Sequence, residues 1–189
     1  MKKIIAMVVI ALTTLTMSAQ ESSKFTIKAG AGLSSVVGSD TDAQSIFAYK
    51  IGASYDLALS ENFCIIPGIE YVAKGWKTET ITGNINVSYL QIPVFAAYKF
   101  PISDNMKLAI KAGPYVSYGL FGSDIDWVKG GTDNVFDMFK RFDAGAIAGI
   151  SLDFERFMVG FEYSRGFTKM HSDLKVYNQV FGVVLGYRF

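Results

Sequence analysis

The residues best equipped for chemistry are few. His171 is the single histidine and stands in Met170-His171-Ser172-Asp173, so an imidazole, a hydroxyl and a carboxylate are consecutive. A hydrolytic triad needs those three groups to converge in space. Neighbours along an extended segment point to opposite faces instead, and no serine carries a nucleophile signature. His171 therefore reads as an exposed loop histidine, and no residue is assigned as catalytic. Two loops open alike, as GSDTD (38–42) and GSDID (122–126). Carboxylates at i and i+2 can approach a divalent cation, but the full calcium-loop pattern is missing. They read as solvated loop starts, with no metal ligand assigned. GAG at 30–32 and KGG at 129–131 lack the phosphate-loop pattern, and no cofactor is implied. Cys64 is the single cysteine. It can neither close an internal disulfide nor build a cysteine metal cluster, so it reads as a small apolar residue.

A larger set of polar residues follows another rule. Between Phe47 and Leu59 the odd positions are Phe47, Tyr49, Ile51, Ala53, Tyr55, Leu57 and Leu59, while Lys50, Gly52, Ser54 and Asp56 occupy even ones. Strict period two marks a strand with one apolar face and one small or charged face. The same pattern predicts eight strands near 24–36, 47–60, 63–76, 88–100, 106–121, 141–154, 157–168 and 175–189. Segments of roughly 11–16 residues are long beside the five or six usual in soluble sheets. A tilted strand crosses a bilayer in about 9–11. Short turns follow strands two, four and six (60–62, 101–105, 155–156). Longer loops follow strands one, three, five and seven (37–46, 77–87, 122–140, 169–174). The expected fold is all-β: an eight-stranded, antiparallel, up-and-down transmembrane barrel with short periplasmic turns and long extracellular loops.

Aromatic residues gather where membrane interfaces would fall. Phe63, Phe100, Phe154, Phe157, Tyr187 and Phe189 lie near the short turns; Phe47, Tyr71, Trp76, Tyr118, Phe121 and Phe167 lie near the long loops. Lipid offers no partner for backbone N–H and C=O groups, so the sheet must close, and strand eight must pair with strand one.

Residues 1–19 have a basic start (Lys2, Lys3), an apolar run and a small-residue end at Ala19, the pattern of a secretory signal peptide. Residues 20–189 are then the barrel domain. Loss of Lys2 and Lys3 takes the 18 basic residues to 16 against 17 acidic ones, a net charge of −1. A nucleic-acid binder would carry a basic excess. No apolar run beyond the signal reaches the roughly 18 residues of a transmembrane helix.

Five segments, PGIEYVAKGWK (67–77), YLQIPVFAAYKF (89–100), KAGPYVSYGLFG (111–122), KRFDAGAIAGISLDF (140–154) and GVVLGYRF (182–189), together resemble the PorT-like outer-membrane β-barrel family of Bacteroidota. The resemblance spans essentially the whole mature chain. It implies residence in the bacterial outer membrane and insertion by the barrel-assembly machinery, with Val183, Leu185, Tyr187 and Phe189 as the assembly signal. The family takes its name from a member linked to secretion and gliding, and most members have no established activity.

With the less apolar face turned inward, Lys28, Lys50, Asp56, Glu70, Lys74, Gln91, Lys99, Lys107, Lys111, Asp143, Glu162 and Arg188 lie in the lumen or at its rims. Eight strands enclose a space that side chains can fill. The expectation is a mutually neutralising plug rather than a channel. Pro93 and Pro114 fall within strands and are expected at bulges or register breaks. The third long loop is unusually apolar, and 135–142 could form a short amphipathic helix that caps the mouth, lies on the leaflet or meets a partner. Trp127, Phe136, Met138 and Phe139 are the candidate contacts. The expected role is non-enzymatic: envelope structure or surface interaction by a monomer among lipid and lipopolysaccharide. The alternatives are a small-solute or hydrophobic-molecule channel and a secretion-associated barrel.

Overall fold

The computed structural model describes residues 24–38, 43–77, 81–82, 84–127, 132–138, 140–168 and 176–189, with backbone alone at 81–82, 124–127, 132–133 and 137–138. The expected signal segment 1–19, the acidic pair Asp40 and Asp42, Phe139, and His171 with Ser172 and Asp173 lie outside the described residues.

In chain order the elements are β1 (Lys24–Gly38), β2 (Gln44–Ala58), β3 (Phe63–Lys77), β4 (Ile81–Thr82), β5 (Ile85–Ser103), β6 (Met106–Gly122), β7 (Asp124–Trp127), β8 (Thr132–Asn134), α1 (Val135–Met138), β9 (Phe142–Phe154), β10 (Phe157–Gly166) and β11 (Val176–Arg188). Eight of these strands close into a barrel in the order β1-β11-β10-β9-β6-β5-β3-β2, every pair antiparallel. The seam joins β1 to β11 from Thr26↔Arg188 to Gly38↔Val176, so no sheet edge faces lipid. At Gly32↔Gly182 the two backbones come very close: a Cβ on Gly32 would stand 2.1 Å from the Phe181 carbonyl oxygen.

Period two sorts the side chains as expected of a membrane barrel. Phe47 (65% exposed), Ile51, Ile92, Phe161, Phe181 and Leu185 face outward, an apolar exterior that water would not tolerate over such an area. At the short-turn end Phe157, Tyr187 and Phe189 meet edge to face, with ring centroids 5.5 and 5.0 Å apart. Phe25 adjoins Phe189, and the Phe189 N–H donates to the Phe25 carbonyl.

Within the long loops β4, β7 and β8 form a small three-stranded sheet. Four expectations change. The helix α1 ends at Met138, and Phe142 already belongs to β9. Trp76 is buried in the lumen rather than placed in a girdle; it lies two residues from Lys74 and so shares its inward face. Leu57, on the outward phase of β2, is also buried.

The fourth correction concerns the prolines. Register shifts fall at Ser45/Tyr49, Ser88/Tyr89 and Pro101/Ser103, not at Pro93 or Pro114. The β3–β5 ladder lapses between Pro67↔Val94 and Glu70↔Gln91, and the β5–β6 ladder between Pro93↔Tyr115 and Ala96↔Ala112, without change of register. A missing N–H removes ladder bonds locally, while Gly113 lets the strands close up: its Cβ would stand 1.9 Å from the Val94 carbonyl oxygen.

Candidate functional site

The lumen is layered. At the short-turn end Asp56 (β2), Lys99 (β5), Asp153 (β9) and Arg188 (β11) form a quartet. Lys99 Nζ stands 2.5 Å from Asp56 and 3.7 Å from Asp153, and Arg188 Nη2 stands 2.5 Å from Asp153 and 3.8 Å from Asp56. Ser151 donates to Asp153 at 3.3 Å. Below the quartet a vestibule of about 330 Å³ opens among the turns, lined by residues that include Lys24, Glu61, Asp104, Lys107 and Glu155. Lys107, at the rim, is exposed.

The middle layer holds Lys28, Lys50, Glu70, Gln91, Lys111 and Glu162. Lys28 meets Glu70 at 2.5 Å, and Lys111 meets Glu162 at 2.6 Å. Lys50 pairs with Glu162 and stands 3.7 Å from Glu70. Gln91 donates to Glu70 at 3.1 Å. The Phe95 ring lies beneath both Lys28 and Lys111, 5.2 and 5.1 Å from their nitrogens.

Nearer the long loops, Asp143 gathers Lys74 at 3.0 Å, the Tyr115 hydroxyl at 3.1 Å and the Asn178 amide at 3.0 Å. Lys74 Nζ also lies 4.4 Å from the centre of the Tyr89 ring. Buried charges are tolerable only when compensated, and each of these has an ion-pair partner.

An apolar layer closes the mouth: Val36, Trp76, Ile85, Val87, Tyr89, Val135 and Val176, with Ala43 and Phe136 packed against it. Val135 is fully buried. Phe136, expected among the outward contacts, is half-buried. Its seat is made by missing side chains, since a Cβ on Gly119 would meet Phe136 at 2.5 Å and one on Gly122 would meet Val135 at 2.0 Å. Arg141 stacks 3.9 Å from the Phe136 ring centre and donates to the Gly119 carbonyl. Backbone positions of Trp127 and Met138 fall in β7 and α1. Val183, Leu185 and Phe189 are exposed, and Tyr187 is half-buried beside Phe157.

Thus Lys28, Lys50, Asp56, Glu70, Lys74, Gln91, Lys99, Lys111, Asp143, Glu162 and Arg188 all line the lumen, in three groups. Asp153 was missed, although it shares the face of Asp143 ten residues earlier, and the same even spacing identifies it. Tyr89, Tyr115 and Asn178 carried no comparable signal: their roles depend on which strand faces which across the lumen. Among the described residues no group of His, Cys, Asp and Glu could hold a metal ion.

The sequence matches the family described as outer membrane protein beta-barrel domain over residues 18–172. Among solved structures, Neisserial surface protein A is similar at 13% identity, covering 89% of this chain and 100% of that one with a TM-score of 0.58. The outer membrane enzyme PagL is similar at 14% identity, covering 86% and 98% with a TM-score of 0.57. Ail, the attachment invasion locus protein of Yersinia pestis, matches at 17% identity, covering 88% and 99% with a TM-score of 0.48. No curated protein matches the sequence.

Proposed function

The chain belongs to the outer membrane protein beta-barrel domain family, and from that premise we propose that it is a non-enzymatic, monomeric barrel acting through its long-loop face, in envelope structure or surface interaction. The observation that carries this reading is the blocked lumen. Three layers of interlocked charges lie beneath an apolar cap whose centre, Val135, is fully buried. A pathway for solutes would have to break ion pairs and unseat that cap. What remains available for interaction is the exterior: the lipid-facing strands and the small sheet β4-β7-β8.

The five sequence segments quoted above support a finer placement among PorT-like barrels of Bacteroidota, and with it a secretion-associated role as the second reading. Partners are then the lipid and lipopolysaccharide of the outer membrane and, during insertion, the barrel-assembly machinery reading Val183, Leu185, Tyr187 and Phe189. Residues 1–19 serve as the export signal. Planar-bilayer recording on the folded protein tests the main proposal. The expected result is no stable conductance step, and reproducible unitary steps would replace it with a channel. For the assembly signal, Phe189→Ala should slow machinery-dependent insertion; unchanged kinetics would remove that role.

A further inference from the structure

Among the described residues five buried side-chain polar atoms have no hydrogen-bond partner: the carboxylate oxygens Glu70 Oε1 and Glu162 Oε1, which face Lys28 and Lys111 in ion pairs, Asp143 Oδ1, and the two groups able to donate, Thr26 Oγ1 and Arg188 Nε. The residues of these two donors are 2% and 8% exposed. Leaving such groups unsatisfied costs free energy, and an orphan of this kind points to an occupant not supplied by the chain. Both residues line one cavity of about 20 Å³ between the quartet and the middle layer. Its walls also include Lys28, Ser54, Asp56, Lys99, Lys111, Ser151 and Asp153. Roughly 10–15 Å³ is enough for one water-sized particle.

Charge decides what that particle is. The cavity wall carries four cationic side chains and two carboxylates. Among the described residues, the ion pairs of all three layers involve six cations (Lys28, Lys50, Lys74, Lys99, Lys111, Arg188) and five carboxylates (Asp56, Glu70, Asp143, Asp153, Glu162). A water molecule would satisfy the two orphan donors but leave the excess positive charge in a low-dielectric interior. A small monoanion does both. We propose that the cavity beside Thr26 and Arg188 is a binding site for one halide ion, held by the Arg188 Nε–H and the Thr26 hydroxyl. The cavity is too small for sulfate, phosphate or a carboxylic acid, which makes the site selective by size as well as sign.

The test uses the full mature barrel folded in detergent. Bromide-soaked crystals should show an anomalous peak beside Arg188 Nε and Thr26 Oγ1. In solution, urea unfolding is compared in sodium chloride, sodium bromide and sodium gluconate at matched ionic strength, which holds general screening constant. A ligand bound only by the folded state lowers the unfolding constant by a factor of 1 + [L]/Kd. Each tenfold rise in halide above Kd should therefore lower it about tenfold, and gluconate should have no effect. Thr26→Val keeps the shape and removes the hydroxyl, so its halide dependence should weaken. Arg188→Lys keeps the charge opposite Asp153 and removes Nε, and serves as the second variant. A water at that position with no bromide signal would overturn the proposal. So would equal unfolding in halide and gluconate, or a halide effect untouched by both substitutions.

Discussion

Removing the carboxylate of Glu70 should be among the most damaging single changes in the lumen. Glu70 is 1% exposed and holds Lys28 at 2.5 Å, Lys50 at 3.7 Å and the Gln91 amide at 3.1 Å. In Glu70→Gln the three lysines do not suffer equally. Lys50 and Lys111 keep Glu162. Lys28, whose side chain is 2% exposed, loses its carboxylate partner and keeps a neutral amide oxygen, the face of Phe95 and the more distant charge of Glu162. Breaking a buried pair costs about 3–5 kcal/mol, and a hydrogen bond from Lys28 to the amide oxygen left at position 70 offsets about 1.5 of it; the Phe95 contact exists before and after and cancels. The expected loss is therefore about 2–3 kcal/mol. Adding Lys28→Met removes that cation, so the double variant should recover most of that loss, with a coupling energy of about 2 kcal/mol. The assay is urea unfolding of the barrel in lipid vesicles, followed by the mobility of unboiled samples on gels. A Glu70→Gln loss below about 1 kcal/mol, or strictly additive effects in the double variant, would refute the network as described.

Three further outcomes follow from single contacts. In Gly122→Leu the new side chain enters the space of Val135 Cγ1, 2.0 Å from the ideal Cβ. It should unseat α1, so that Val135→Cys, in a Cys64→Ala background, reacts at least tenfold faster with an impermeant maleimide; equal rates would place the cap elsewhere. Gly32→Val sets a Cβ 2.1 Å from the Phe181 carbonyl oxygen and 2.5 Å from Gly182 Cα. Neither backbone atom can yield cheaply at the seam, so the urea midpoint should fall by the equivalent of about 2–3 kcal/mol, and an unchanged midpoint would contradict the register. Glu155 takes φ 48° in the turn between β9 and β10. Glu155→Gly should stabilise by roughly 0.5–1 kcal/mol, measured on the same gels, and destabilisation would refute strain at that turn.

Most of the barrel was legible because its defining features are local. Alternation at Phe47, Tyr49 and Ile51 needs no knowledge of the neighbouring strand, and the bare turn at Glu155-Arg156 fixes where one strand returns. The parity rule also placed Glu70 and Glu162 inward before their partners were known. It failed where a second criterion overrode it. Trp76 was assigned by its aromatic character and its position near a loop, although its parity with Lys74 put it inside. Loss of a donor suggests a bulge or a register break at each strand proline; at Pro93 and Pro114 the barrel loses ladder pairs and keeps its register. The seat of α1 was hidden for another reason. Gly119 and Gly122 look like small residues of a strand until Val135 and Phe136, more than a dozen positions later, are seen to occupy the space above them.

The partners of the lumen charges were out of reach of the sequence, and the reason bears on how the barrel is specified. Of the ion pairs among the described residues, only Lys50–Glu70 joins strands that are hydrogen-bonded to each other. Lys28–Glu70 bridges β1 to β3, Lys99–Asp56 bridges β5 to β2, and Arg188–Asp153 bridges β11 to β9, each skipping one strand. Lys50–Glu162 and Lys74–Asp143 reach across the lumen, from β2 to β10 and from β3 to β9. No single hairpin can form these contacts: those that skip a strand need a curled sheet, and Arg188–Asp56, which spans the β1–β11 seam, needs the sheet to be shut. The same charges also fix register, because a slip of one residue would turn a strand's lysines and carboxylates into lipid and its aromatics into the lumen. Apolar packing inside would have left both faces of every strand alike and the register undefined. A charged lumen therefore makes closure and register a single cooperative choice, at the cost of an interior whose charges must balance.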